Sequence, residues 1–218
     1  MKTEKLSIQV SDSVGSVSAE ITTGAETSFL YVFAHGAGAG MNHPFMVKLS
    51  DALADLGIAT MRYNFPYMEK GKKRPDPPAI AEKTVRRAIE TADKNFPGMR
   101  ILAGGKSFGG RMTSQALASS ADLPVKGIVF VGFPLHAAGS PGRDRAAHLK
   151  KIVQPMLFLQ GTRDALADLT LMESVCSELR LATLHKFEGA DHSFKAGKQD
   201  LIPALANAVK TWTVDKFK

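Results

Sequence analysis

Residues 100–110 read RILAGGKSFGG, and they decide the architecture. A short strand-like run, Arg100–Gly104, leads into a serine flanked by glycines, and a helical pattern follows through about Ser119. Gly105-Lys106-Ser107-Phe108-Gly109 fits G-x-S-x-G. Such a serine sits on a sharp strand-to-helix turn whose strained backbone projects the hydroxyl outward. The glycines are needed because a side chain there would meet the neighbouring strand or helix. The same residues also match the end of a phosphate-binding loop, G-x-x-x-x-G-K-S. That motif requires glycine at position 100, where Arg100 stands. Gly36-Ala37-Gly38 similarly begins a dinucleotide fingerprint, but Met41 occupies the third glycine position.

Outward from this turn, strand and helix patterns alternate. Leu6–Val10 and Val17–Thr22 read as a hairpin, and Phe29–Ala34 is a continuous apolar run of strand length. Helical spacing spans Pro44–Leu56, a strand covers Ile58–Tyr63, and the proline-rich stretch Phe65–Pro78 reads as a loop. Ile80–Asn95 is a predicted helix and Gly127–Val131 a strand. A loop and short helix, about Arg143–Ile152, lead to a strand at Met156–Gln160. A helix near Ala167–Leu179, a strand near Thr183–Phe187 and a helix near Gln199–Trp212 complete the pattern. Apolar strands separated by amphipathic helices imply an α/β protein with a mostly parallel sheet of about eight strands, covered on both faces. No repeat or linker divides residues 1–218, so one domain is expected.

Parallel α/β sheets place ligands at the carboxyl ends of their strands. The polar residues just past those ends are His35-Gly36-Ala37-Gly38, Lys106-Ser107, Thr162-Arg163-Asp164 and Asp191-His192. They supply Ser, Asp and His in that chain order. A serine hydroxyl becomes a competent nucleophile only when a base takes its proton. His192 is the candidate base and Asp164 the acid that orients it. Asp191 adjoins the histidine, so its side chain is expected to point away from the imidazole. Acyl transfer also needs donors for a developing oxyanion. The expected donors are the N–H of Phe108, at a helix N-terminus, and that of Ala37, with Gly38 one step away. His35 is expected to brace this turn.

Composition narrows the alternatives. Hydrophobic residues are 44% and charged residues 22%, ordinary globular usage that argues against disorder. No apolar run approaches the about 18 residues of a membrane span, and MKTEKLSIQV does not read as a secretory signal. The single cysteine, Cys176, excludes an internal disulfide and any cysteine-cluster metal site. The formal net charge is +7, with the densest basic cluster at Lys70, Lys72, Lys73 and Arg74. No aromatic residues interleave with the cluster as a single-strand nucleic-acid binder requires, so it reads as a solvated loop.

With these features in place, the chain resembles the α/β-hydrolase superfamily along nearly its whole length. More narrowly, it is similar to the dienelactone-hydrolase-like branch through AHGAGAGMNHPFM, MRYNFPYMEKGKKRPDPP, GGKSFGGRM, GFPLHAAGSPGRDRAAHL, FLQGTRDALAD and GADHSF. These stretches also resemble a group of small bacterial hydrolases and the hydrolase-like domain of a nonspecific-lethal-complex chromatin subunit. The resemblance implies Ser107 as nucleophile, Asp164 as acid and His192 as base. It departs at one point: dienelactone hydrolases use a cysteine nucleophile, and here the position is Ser107. Cys176 falls in a predicted helix and reads as a packing residue.

Only Gly132–Val153 stands where many lipases insert a helical cap, so no substantial lid is expected. Met41, Phe45, Tyr67, Phe133 and His136, all near strand ends, are the candidate substrate-pocket walls, with Phe108. The Lys70–Arg74 loop is expected to overhang the pocket and favour anionic substrates. The combined expectation is a cytoplasmic serine hydrolase of small esters or thioesters, monomeric or homodimeric. It implies no metal or organic cofactor, nucleic acid or membrane. The competing class is a non-catalytic scaffold that retains the fold.

Overall fold

The computed structural model describes residues 1–218. One sheet of eight strands runs in the order β1-β2-β4-β3-β5-β6-β7-β8. The strands are β1 Lys2–Ser11, β2 Gly15–Thr23, β3 Phe29–Ala34, β4 Ile58–Tyr63, β5 Arg100–Lys106, β6 Val125–Val131, β7 Met156–Gly161 and β8 Ala182–Phe187. The β1–β2 hairpin is antiparallel, and β2 pairs antiparallel with β4. Every later pairing is parallel.

Residues of β3, β4 and β7 are buried throughout, which is why β3 reads as an unbroken apolar run, while β4 and β7 each bury polar side chains, Thr60 and Arg62 in one and Gln160 in the other. Alternate residues of β3 feed opposite faces. Leu30 and Val32 join one hydrophobic core, while Phe29, Tyr31 and Phe33 join the other. The first core packs against α3 (Pro78–Asn95), α4 (Phe108–Ser119) and α5 (Leu169–Glu178). The second packs against α1 (Pro44–Asp55) and α6 (Ile202–Lys216). Between β6 and β7 the only helical segment is a 3₁₀ stretch, Asp144–Lys151, so no lid covers the sheet.

The structure differs from the sequence reading in detail. Phe65–Pro78 is not wholly a loop: it contains α2, Pro66–Glu69, begun by Pro66 at the first helical position, where a missing N–H costs nothing. The helix expected from Ala167 begins at Leu169 because the Asp168 side chain caps it, accepting from the Leu171 N–H at 3.0 Å. The last helix starts at Ile202 rather than near Gln199 and continues to Lys216. The strand read as ending at Gly104 continues through Lys106, so it delivers Ser107 directly to the start of α4.

Candidate active site

Ser107 links β5 to α4 with φ 48° and ψ −114°, a left-handed backbone rarely taken by a residue other than glycine. Such conformers cost about 1–3 kcal/mol and persist only when their surroundings hold them. Here the Ser107 N–H donates to the Val131 carbonyl at 3.1 Å, and the Ser107 carbonyl accepts from the Arg111 N–H at 3.1 Å. The flanking glycines let this turn lie against β3. A Cβ on Gly105 would stand 2.3 Å from the Ala34 carbonyl oxygen, and one on Gly109 would stand 2.6 Å from the carbonyl oxygens of Ala34 and His35. Those oxygens are main chain at the end of a central strand, Ala34, and just past it, His35, and cannot step aside. Gly105→Ala is therefore expected to destabilise the fold by about 3 kcal/mol or more, checked by urea titration.

The structure brings Ser107, His192 and Asp164 together from three strand ends. The Ser107 hydroxyl donates to His192 Nε2 at 2.8 Å, and His192 Nδ1–H donates to Asp164 Oδ2 at 2.7 Å. The carboxylate is buried and fully engaged. Its Oδ2 also accepts from Gln160 Nε2 at 2.6 Å, and its Oδ1 accepts from the Leu166 N–H at 2.8 Å. Asp191 does not compete for the imidazole. Its Oδ1 accepts from the N–H groups of Ser193 and Lys195 at 2.8 and 2.9 Å, shaping the turn that carries His192.

The Gly38 N–H donates to Tyr67 Oη at 2.8 Å, whereas the N–H groups of Ala37 and Phe108 have no partner within the protein. Ala37, the expected donor, is thus free to serve an anion, whereas its neighbour Gly38 is not. His35 braces the turn. Its Nε2 accepts from the Phe65 N–H at 3.1 Å while its Nδ1–H donates to the Gly36 carbonyl at 2.7 Å, so the neutral ring has one defined tautomer. Burial pulls its pKa down from 6.5 to about 4. The unfolded chain therefore takes up this proton at a higher pH than the folded one. Stability is expected to fall as pH drops from 6.5 toward 4, by roughly 3 kcal/mol from His35 over the full window. Urea midpoints at pH 7 and 4.5 check this.

A cleft of about 360 Å³ opens at Ser107 and His192, with Ala37, Phe45, Met46 and Leu166 on its walls. Among the pocket expectations, Phe45 lines it, and Phe108 turns its ring onto Phe65 at a centroid separation of 5.3 Å. The other four lie elsewhere. Met41 is buried, with its N–H donating to Asn64 and its carbonyl accepting from Arg62. Tyr67 holds the Gly38 turn from behind, and Phe133 packs in the core against Phe130 and Phe158. His136 is buried in a loop brace, donating to the Ala137 carbonyl and accepting from the Asp168 N–H. Lys70, Lys72, Lys73 and Arg74 do not line the cleft either: they project into solvent beyond α2.

Sequence alone does not single out Gln160, Lys106, Met46 or Leu166 as members of the site. Gln160 is a wholly buried amide at the end of an apolar strand, and that contrast is its signal. Cys176 packs in α5, and burial pushes its thiol up to about 12. No cluster of three or more His, Cys, Asp or Glu side chains is placed to hold a metal ion, and no helix is long and apolar enough to cross a membrane.

The chain belongs to the alpha/beta hydrolase domain family, whose profile matches residues 27–210. Its fold is shared with a dienelactone hydrolase from Anabaena variabilis at 17% identity and a TM-score of 0.79, covering 100% of this chain and 99% of that one. A lidless α/β serine hydrolase from Xanthomonas campestris is similar at 21% identity and a TM-score of 0.76, covering 97% and 95%. Est1E from Butyrivibrio proteoclasticus, with ferulic acid bound, is similar at 16% identity and a TM-score of 0.77, covering 97% and 98%.

Proposed function

We propose that this protein is a serine hydrolase that cleaves small esters or thioesters through an acyl-serine intermediate. The observation that carries the reading is the unbroken hydrogen-bond chain from Ser107 Oγ through the His192 imidazole to the buried Asp164 carboxylate. In this reading His192 Nε2 takes the Ser107 proton as Oγ attacks the substrate carbonyl carbon. The carbonyl oxygen becomes an oxyanion, accepting from the Ala37 and Phe108 N–H groups, at the positive end of α4. The tetrahedral intermediate collapses, His192 protonates the departing alcohol or thiol, and the acyl group remains on Ser107. Water then repeats the cycle with His192 as base and releases the acid.

The open, unlidded cleft and its apolar walls suit a short acyl group more than a long lipid chain. The strain at Ser107 favours catalysis over the scaffold reading, since a scaffold gains nothing from a serine held left-handed at a cleft floor. A panel of p-nitrophenyl esters and acyl thioesters of rising chain length tests the proposal. Turnover falling with chain length, with a burst of one product equivalent per chain wherever deacylation is slow, is expected. Absence of turnover across the panel counts against it.

A further inference from the structure

We infer that Lys106 is a positioning residue that holds the main chain of His192 against the nucleophile's own strand, an inference that rests on the hydrolase reading above. Lys106 is the last residue of β5 and the first variable position of G-x-S-x-G. Its side chain stays at the cleft wall and its Nζ donates to the His192 carbonyl at 2.6 Å. That is a charge-assisted bond, short and strong for its kind. The ammonium also lies 5.4 Å from the Phe194 ring centroid and 6.0 Å from that of Phe45.

No carboxylate forms an ion pair with Lys106, although the flexible lysine stem would otherwise carry its charge to water. A cation kept in such a place is expensive unless its contacts return the cost. The local chain makes room for it. A Cβ on Gly132 would stand 3.1 Å from Lys106 Nζ and 3.6 Å from His192 Cε1.

The turn bearing His192 is tied to the β7 end of the sheet, where the Ala190 carbonyl accepts from the Arg163 N–H at 2.9 Å. Its own shape comes from Asp191. Toward β5 the bond from Lys106 is its one main-chain link. Asp164 therefore sets the rotation of the imidazole, while Lys106 sets where its backbone stands relative to Ser107. Placement errors of about 1 Å at a reacting pair cost on the order of 10²-fold in rate.

The groups facing the ammonium are the His192 carbonyl and imidazole and the carboxylates of Asp164 and Asp191. Burial lowers the lysine to about 8, partly opposed by those two carboxylates. The charged form of the clamp is thus lost as pH rises through about 8, and a basic limb in kcat is expected there.

The test compares Lys106→Met and Lys106→Arg in the full chain, using a short p-nitrophenyl ester. Lys106→Met is expected to lower kcat by about 10- to 100-fold with KM changed less than about twofold. Lys106→Arg is expected to recover most of kcat and to lose the basic limb, because guanidinium stays charged across the accessible range. Unchanged kcat in Lys106→Met overturns the inference, whatever happens to its melting temperature. So does a raised KM at unchanged kcat, which would make the ammonium a substrate contact. If Lys106→Met does not fold, the pH profile of Lys106→Arg decides: retention of the wild-type limb overturns the clamp. If folded wild type neither turns over esters nor reacts with a fluorophosphonate, the hydrolase reading fails separately. The clamp is then read from the ¹⁵N imidazole shifts of His192, which move in either Lys106 variant if it holds and stay fixed if it does not.

Discussion

Ser107→Ala is expected to lower kcat for a short-chain ester by on the order of 10⁶-fold while leaving the circular dichroism spectrum unchanged. The size follows from the way the site is built. Ser107 Oγ is the atom to which His192 Nε2 is directed, and without it the imidazole has no proton to take from a nucleophile. His192→Ala is expected to cost about as much, because an unactivated serine hydroxyl is a poor nucleophile. The double variant is expected to lose little beyond either single one, since the two groups act as a unit and their effects do not add. What remains in all three is the contribution of the cleft and the oxyanion donors. Initial rates with one ester, measured for the wild type and the three variants, give the comparison. Losses that multiplied in the double variant would mean that Ser107 and His192 act independently.

Asp164→Asn is expected to lower kcat by about 10⁴-fold, and the surrounding hydrogen bonds explain why the change is not conservative. Oδ2 of Asp164 accepts from both His192 Nδ1 and Gln160 Nε2, and Oδ1 accepts from the Leu166 N–H. All three partners are donors. Gln160 cannot flip to help, because its Oε1 already accepts from the Phe133 N–H at 3.0 Å. An asparagine must turn its amide nitrogen toward one side of this arrangement. Facing Gln160 and His192, it drives the imidazole into the tautomer that carries its proton on Nε2 and blocks proton transfer from Ser107. Facing Leu166, it leaves two buried donors opposed. A stability loss of about 1–3 kcal/mol is expected alongside the rate loss. Kinetics and urea titration of the same preparation separate the two effects. Gln160→Leu isolates part of the arrangement, since it removes one donor to Asp164 and leaves the His192 bond in place.

The parts of this site visible in sequence are those specified by local chain geometry. Ser107 sits between glycines after an apolar strand, and Asp164 and His192 follow later strands, so the parallel sheet alone carries them to one edge. The sequence points to Ala37 as a donor, but the reason its neighbour Gly38 is unavailable is not legible there, because it depends on Tyr67 reaching back from α2 to take the Gly38 N–H. Its position near a strand end points Tyr67 into the pocket, where the structure does not place it. Its direction is set by the helix that Pro66 starts inside a proline-rich segment. Phe133 and His136 fail as pocket walls for a similar reason. Strand-end proximity says which residues are near the site, while packing against Phe130 and Phe158, or bonding to Asp168, decides where each side chain goes. Lys106 shows the converse. Its position in G-x-S-x-G is usually read as a placeholder, and only the space left by Gly132 reveals that its charge turns inward to His192.

If Ser107 is an activated nucleophile, a fluorophosphonate will phosphonylate it. The purified protein is treated with the reagent, digested, and mapped by mass spectrometry beside Ser107→Ala and His192→Ala. A single adduct on the peptide carrying Ser107 is expected in the wild type. No adduct is expected in Ser107→Ala, and a rate slowed by orders of magnitude in His192→Ala. An unmodified, well-folded wild type, or an adduct that persists in Ser107→Ala, would mean that Ser107 is not an activated nucleophile.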